Sequence, residues 1–339
     1  MIIKVIGHNR KIFLEPPKNN PWHSFFTELK KSGAQIVTNE SEAKFDVLIA
    51  NSHSKKSIRD CKKFGVSKQN RILILWEPRE INGKLYKQST LNKYGHIFAP
   101  SNEWITGKNV HKFNWPQGKA SWKKQSDREW LKRKDKFVLI GSNKYSVSDG
   151  ELYSLRRSVL NNFETEKLID LFGHDWNKNI LFNIKSVISS ACKINYRYYS
   201  RNSIKLVSKK FTNYQGISTS KQETLNNYKF ALVIENSKNY ISEKLFESLN
   251  SQCIVLYVGA DLTKNLNRNI AIQARVDPTD VLKKMNQILN LPPSEQLALM
   301  KIQRKEYLKA NSDRDNYGVL KKLAHNSLNL LNFQHIPIM

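Results

Sequence analysis

Short apolar runs separated by charged, amphipathic stretches recur along this chain, and they do so in two series. In the first half the runs are Ile2–Ile6, Gln35–Thr38, Phe45–Asn51, Arg71–Trp76 and His96–Ala99. Helix-patterned segments stand between them near Trp22–Lys31, Lys55–Phe64 and Leu85–Lys93. Several of these close at Gly33, Gly65 or Gly95, where a left-handed cap costs least. The second series begins at Phe137–Ile140 and passes through a helix near Leu152–Asn162. It continues with Lys167–Phe172 before Gly173, then Phe230–Glu235, Cys253–Val258 and Ile270–Arg275. Such alternation predicts parallel sheets with crossover helices. Two series predict two nucleotide-binding-type α/β domains facing a cleft, followed by helices from Pro278 to Phe333 that break at Pro292-Pro293. The expected boundaries are 1–134, including a linker helix in the charged stretch Lys119–Lys136, then 135–310, then a C-terminal helical extension 311–339. Open α/β sheets bind ligands beyond the carboxyl ends of their strands, so residues just after the runs are the first candidates for chemistry.

Charge narrows the partner class without choosing it. The chain has 339 residues, 56 Lys+Arg against 29 Asp+Glu, and a net charge of +27. The excess is spread over both halves, at +16 for 1–134 and +11 for 135–339. Nucleic acid, a nucleotide-sugar diphosphate and a lipid surface all suit it. The densest stretch, 176–222, has nine basic side chains, no acidic one and seven aromatics. Cations interleaved with aromatics fit an anionic macromolecule or glycolipid surface, and fit equally a solvated insertion. Three cysteines without paired spacing (Cys61, Cys192, Cys253) argue against a disulfide framework and point to a reducing compartment. No run reaches membrane-span length and the start is not patterned as a secretory signal, so the expectation is a cytoplasmic protein, peripheral at most to the membrane.

The richest segment is Tyr228-Lys-Phe-Ala-Leu-Val-Ile-Glu-Asn-Ser-Lys-Asn-Tyr-Ile-Ser-Glu-Lys-Leu-Phe-Glu-Ser-Leu249. Its first residues are a buried-type strand. Ser242 and Glu243 then open a helix whose apolar face is Leu245, Phe246 and Leu249. Glu235, Asn236 and Ser237 are therefore expected on the loop after a strand, beside a helix N-terminus, where backbone amides and the helix dipole favour anions. Ser-Glu-Lys at a helix start is also an ordinary capping pattern.

This segment resembles the signature of family 10 glycosyltransferases, the α1,3/4-fucosyltransferases, with Tyr228, Lys229, Phe230, Glu235, Asn236, Ser237, Tyr240, Glu243 and Lys244 at the matching places. Ser242 stands where the family usually has Thr. Outside it, Tyr257 and Gly259 match a strand ending in Tyr-x-Gly, although the family's Pro is absent from that strand. Ser142-Asn143, an arginine on the next helix (Arg156, with Arg157 as competitor) and Gly173 fit the family's upstream layout. In the first half, Leu75-Trp-Glu-Pro78 resembles its Glu-Ser-Pro element without the Ser. The resemblance spans roughly residues 71–275 and makes the interval from Gly173 to Tyr228 look like an insertion.

The resemblance implies a bacterial-type soluble member with a GT-B-like fold of two Rossmann-like domains. It would be an inverting enzyme that moves fucose from GDP-fucose to a surface glycan or glycolipid and requires no metal. By the same resemblance Glu77 is the general base, with Glu80 the nearby competitor. Arg156 and Lys244 would meet the donor diphosphate, and Glu235 would stabilise positive charge on the sugar. Asn143, Asn236, Ser237, Tyr240 and Glu243 would shape the donor site. A related transferase with another nucleotide sugar keeps the fold, and segment 176–222 would touch an anionic membrane. A nucleic-acid-binding protein accounts for the charge but not for the Glu-Asn-Ser…Ser-Glu-Lys spacing. Asp313-Arg-Asp315 spells a metal-binding Asp-x-Asp but sits between helical stretches, as an N-cap would. The eight histidines show no metal-ligand spacing.

Overall fold

The computed structural model describes residues 1–6, 22–38, 43–99, 105–113, 125–144, 146, 148–177, 211–312 and 316–331. Most of the basic stretch 176–222, the start of the expected linker and Asp313-Arg-Asp315 lie outside these residues. The chain divides into two compact units, Met1–Ser121 with Ala310–Met339, and Trp122–Lys309.

The first unit is built on a fully parallel six-stranded sheet. Its strands are β1 (Ile2–Ile6), β2 (Gln35–Thr38), β3 (Val47–Ala50), β4 (Arg71–Ile74), β5 (His96–Ala99) and β6 (Val110–Lys112), in spatial order β2-β1-β3-β4-β5-β6. Helix α1 (Trp22–Lys31) packs Phe25, Phe26 and Leu29 with Ile3, Ile49 and Ile74. Helix α2 (Lys55–Lys63), capped by the Ser54 side chain on Ser57 N–H, sends Ile58 and Cys61 into a second cluster with Leu48, Leu73, Leu91 and Tyr94. β4 buries three of its four side chains because both of its faces are covered.

The second unit opens with α3 (Asp127–Leu131), held by a full capping box between Ser126 and Glu129. Its sheet contains β7 (Lys134–Ile140), β8 (Ile169–Phe172), β9 (Tyr228–Ile234), β10 (Ile254–Val258) and β11 (Ile272–Gln273), all parallel, in order β11-β10-β9-β7-β8. Between the strands lie α4 (Tyr153–Leu160), α5 (Phe163–Leu168), α6 (Lys221–Asn226) and α7 (Glu243–Asn250). After the sheet come α8 (Pro278–Leu289) and α9 (Pro293–Ser312). All seven residues of β9 are buried, the reason it runs apolar from Phe230 to Ile234; the one charge, Lys229, is paired with Asp135 at 2.7 Å. Among the described residues no helix is long and apolar enough to cross a membrane.

The expected boundaries change in two places. The described part of the charged linker belongs not to the first unit but to the second, which it opens. Trp130 is fully buried there, donating Nε1–H to Gln252 O at 2.8 Å, and Arg133 donates to Ser251 O at 2.7 Å and Tyr228 O at 3.2 Å. The C-terminal extension belongs to the first unit: α10 (Asn316–Leu330) lies on α1 and adds Leu323, Ala324 and Leu328 to the cluster around Phe25.

Candidate functional site

In both sheets the strand order reverses once, between β1 and β3 in the first unit and between β7 and β9 in the second. The carboxyl ends at such a reversal diverge and leave a crevice for a ligand. In the second unit that point is flanked by Gly141-Ser142-Asn143 after β7 and Glu235-Asn236-Ser237 after β9.

Glu235 is completely buried, and its carboxylate is fully engaged. Ser242 donates its backbone N–H to Oε1 at 2.8 Å and its hydroxyl to Oε2 at 2.6 Å, while Lys244 Nζ lies 3.6 Å from Oε2. The same Ser242 Oγ caps α7 by accepting from Lys244 N–H at 3.3 Å, and accepts from Lys244 Nζ at 3.0 Å. One hydroxyl thus uses its single donor and both acceptors, and ties the loop carboxylate to the helix N-terminus. Gly259 closes the back of this cluster. A Cβ there would collide with the Tyr257 phenol oxygen and come within 2.7 Å of Glu235 Cγ. Tyr257 in turn donates to Tyr240 O at 2.9 Å.

Burial raises the Glu235 carboxyl above its ordinary range, offset in part by Lys244 and the Ser242 hydrogen bonds. A native state that holds a proton more tightly than the unfolded chain gains stability as pH falls. The contribution of Glu235 is complete below the usual glutamate range and is lost as pH rises through its raised value. Between pH 7 and pH 4 the melting temperature of the wild type should therefore rise relative to Glu235→Gln, in paired thermal scans. A constant difference across that range would remove the linkage.

Arg156 sits at the strand reversal, on α4, with 2% of its surface exposed. Its guanidinium donates to Ser142 O at 3.1 Å, Ile234 O at 2.7 Å, Glu235 O at 3.4 Å and Asn236 Oδ1 at 3.4 Å. It therefore staples the end of β7 to the end of β9. Burial pulls its pKa down to about 10, against the opposing charges of Tyr153 and Glu235. Arg157 donates to Lys144 O. Asn143 donates to Asp175 O at 3.3 Å, while its Oδ1 is buried without a hydrogen-bond partner. Ser237 and Tyr240 are buried, and the loop that carries them is stitched to 150–152 through Leu152 N–H to Asn236 O and Lys238 N–H to Gly150 O.

Glu243 opens α7 half-exposed, and Lys221 from α6 bridges it at 3.5 Å and Glu247 at 3.0 Å. Burial tends to raise the Glu243 carboxyl, but Lys244 and Lys221 outweigh it and hold it below its ordinary range. Burial dominates at Glu247 and pushes it up. A cavity is lined by Ile140, Ile234, Arg156, Lys221, Lys244 and Glu247, so cations and apolar strand ends share one wall. Lys221, Glu247 and the Ser242–Glu235 coupling were not anticipated from sequence. The apolar face of α7 had signalled its orientation, but nothing had marked α6 as its neighbour.

Glu77 belongs to the first unit, half-buried, directly after the β4 run. Its carbonyl accepts from Tyr86 Oη at 2.9 Å, and both Glu77 and Glu80 lie close enough for their charge to help burial raise the Tyr86 phenol. Trp76 before it stacks on Phe113 and meets Trp22 with ring centroids 4.7 Å apart, which fixes this strand end. At the strand reversal of the same sheet, Asn51 follows β3 with its Oδ1 buried and lacking a hydrogen-bond partner, a position the sequence did not single out. Among the described residues no cluster of three or more His, Cys, Asp or Glu is arranged to hold a metal.

No family model matches the chain, and neither does any curated protein. Solved structures do. An α1,3-fucosyltransferase with GDP superposes with a TM-score of 0.54 at 13% identity, covering 98% of this chain and 91% of that one. The Anabaena protein Alr3699/HepE in complex with UDP and glucose gives 0.56 at 10% identity, covering 97% and 99%. A glycosyltransferase from Rickettsia africae ESF-5 gives 0.51 at 10% identity, covering 97% and 98%. Two parallel α/β units and these likenesses define the fold as GT-B-like.

Proposed function

We propose that the chain is an inverting glycosyltransferase that moves fucose from GDP-fucose to a glycan acceptor. The observation that carries this reading is the cluster Glu235–Ser242–Lys244, which joins the loop after β9 to the N-terminus of α7 beside a cavity walled by Arg156, Lys221 and Lys244. The spacing from Tyr228 to Lys244 and the GT-B-like fold support it. A helix N-terminus with a lysine suits the negative charge that grows on a departing diphosphate. Lys244 takes that role, and Glu243 faces the ribose. Asn236 and the open Oδ1 of Asn143 shape the donor pocket. Glu235 holds Lys244 in place and contributes negative potential toward an oxocarbenium-like sugar. Arg156 is assigned to bracing the two loops rather than to the diphosphate, because Nη1 and Nη2 donate to Ser142 O, Ile234 O and Asn236 Oδ1 across the two strand ends.

The reaction is a single displacement. The acceptor hydroxyl oxygen bonds to the anomeric carbon, the bond from that carbon to the diphosphate breaks, and the hydroxyl proton passes to Glu77. GDP should raise the melting temperature more than UDP or an oligonucleotide does. Saturation to about a hundredfold above Kd corresponds to roughly 2.7 kcal/mol. Lys244→Ala should lose most of that stabilisation and most of the turnover with labelled GDP-fucose. Preference for UDP would shift the donor to another nucleotide sugar. Stabilisation by oligonucleotide alone would sink the transferase reading.

A further inference from the structure

Helix α2 carries a charge pattern that its own fold does not explain. Lys55, Lys56, Arg59, Lys62 and Lys63 are all exposed, while Ser57, Ile58 and Cys61 face the core. The only acid on the helix, Asp60, is consumed by the fully buried Lys4, 3.0 Å away. Arg59 consequently stands three or four residues from Lys55, Lys56, Lys62 and Lys63, four like-charge neighbours at helical spacing, which disfavours the helix. Lys55 and Lys56 also occupy the first turn, where no acid is present and the helix dipole disfavours cations. Among the described residues none of these five cations has an ion-pair partner; Lys63 alone rests on a ring, 5.3 Å over Phe64.

The pattern extends beyond α2. Lys84 and Lys87 are exposed on the segment whose Leu85 and Leu91 join Ile58 and Cys61 in one core cluster, so they belong to the same side of the sheet. Lys93 reaches this side too: with burial as the larger cause, the charges of Lys93 and Lys55 both help keep the His53 imidazole below its ordinary pKa.

We propose that this face, centred on α2, is a docking surface for an anionic lipid bilayer. The chemistry favours headgroups over nucleic acid. Four of the five cations on α2 are lysines, compact point charges suited to a laterally mobile sheet of charge rather than to forked recognition of bases. The exposed large apolar side chains of the described residues, Leu131, Ile217, Val276, Ile302 and Leu308, all lie in the other unit, so this face offers no fully exposed ring for bases to stack on, Phe64 being half-buried beneath Lys63. It offers no apolar anchor either, so the contact is electrostatic, reversible and salt-labile.

The test is flotation of the full chain with phosphatidylcholine vesicles, with and without phosphatidylserine, at low and high salt. The wild type should float only with phosphatidylserine and at low salt. Lys56→Gln/Arg59→Gln/Lys63→Gln should cut partitioning by roughly a hundredfold, about fivefold per charge removed. Its melting temperature should hold or rise, because like-charge pairs are relieved. Arg268→Gln/Lys283→Gln/Lys305→Gln removes three exposed cations from the other unit and should leave flotation nearly intact. Equal loss in both variants would reduce the effect to total charge, and retained binding in the α2 variant would locate it elsewhere, for instance in 176–222. A wild type that ignores the vesicles yet binds duplex DNA at matched phosphate would make the occupant nucleic acid. Each of these results overturns the proposal.

Discussion

Replacing Arg156 by alanine should lower the stability of the second unit by about 3–5 kcal/mol, the cost typical of removing one member of a buried, charge-assisted network. The carbonyls of Ser142, Ile234 and Glu235 all face this guanidinium, and in its absence each would be left in a site that water does not reach freely. For a unit of this size the loss corresponds to a fall in melting temperature of about 10 °C. Arg156→Lys should recover only part of it, since one ammonium cannot span the ends of both β7 and β9. Differential scanning calorimetry separates this from the phosphate-binding role that the sequence resemblance implied. Undiminished stability with abolished GDP binding would return Arg156 to the diphosphate.

Glu77→Gln should reduce transfer by roughly 10²–10⁴-fold, the usual contribution of a general base, and leave stabilisation by GDP unchanged. The substitution keeps the shape of the side chain and removes its charge together with its ability to take a proton. The Tyr86 hydroxyl donates to the Glu77 carbonyl, a contact that the substitution retains. Steady-state kinetics beside a thermal shift with GDP make the comparison. A large loss in Glu80→Gln with normal turnover in Glu77→Gln would transfer the role to Glu80, and loss of the GDP effect would remove Glu77 from it altogether.

The core strands were legible because burial on both faces forces long apolar runs, as in Phe230–Ile234. Their ends were less so: the runs from Phe45 and Arg71 overshoot into Asn51 and Trp76, polar or aromatic residues that already lie beyond the carboxyl ends of the strands. β6 escaped notice because an edge strand of Val-His-Lys needs no apolar pattern. The motif around Glu235 was legible as a spacing, yet the burial of its carboxylate was not. A glutamate after a strand is ordinarily a surface residue, and its enclosure depends on Gly259 and Tyr257, which approach from a different strand. The surroundings of Arg156-Arg157 were illegible for a related reason. Adjacent arginines on a short helix suggest a solvated face, whereas both turn inward to backbone carbonyls that become acceptors only once the β7 and β9 ends are assembled.

The return of α10 to α1 sets the order in which the two units can mature on the ribosome. The second unit is continuous in sequence and can close as soon as Lys309 has emerged. The first unit, although synthesised first, lacks Leu323, Ala324 and Leu328 from the cluster around Phe25 and Phe26 until those residues have been made, after the whole of the second unit. Its parallel sheet therefore waits with one apolar face incompletely covered while its partner folds. Truncation before Leu323 therefore strips cover from the core of the first unit and leaves the second unit's own core complete.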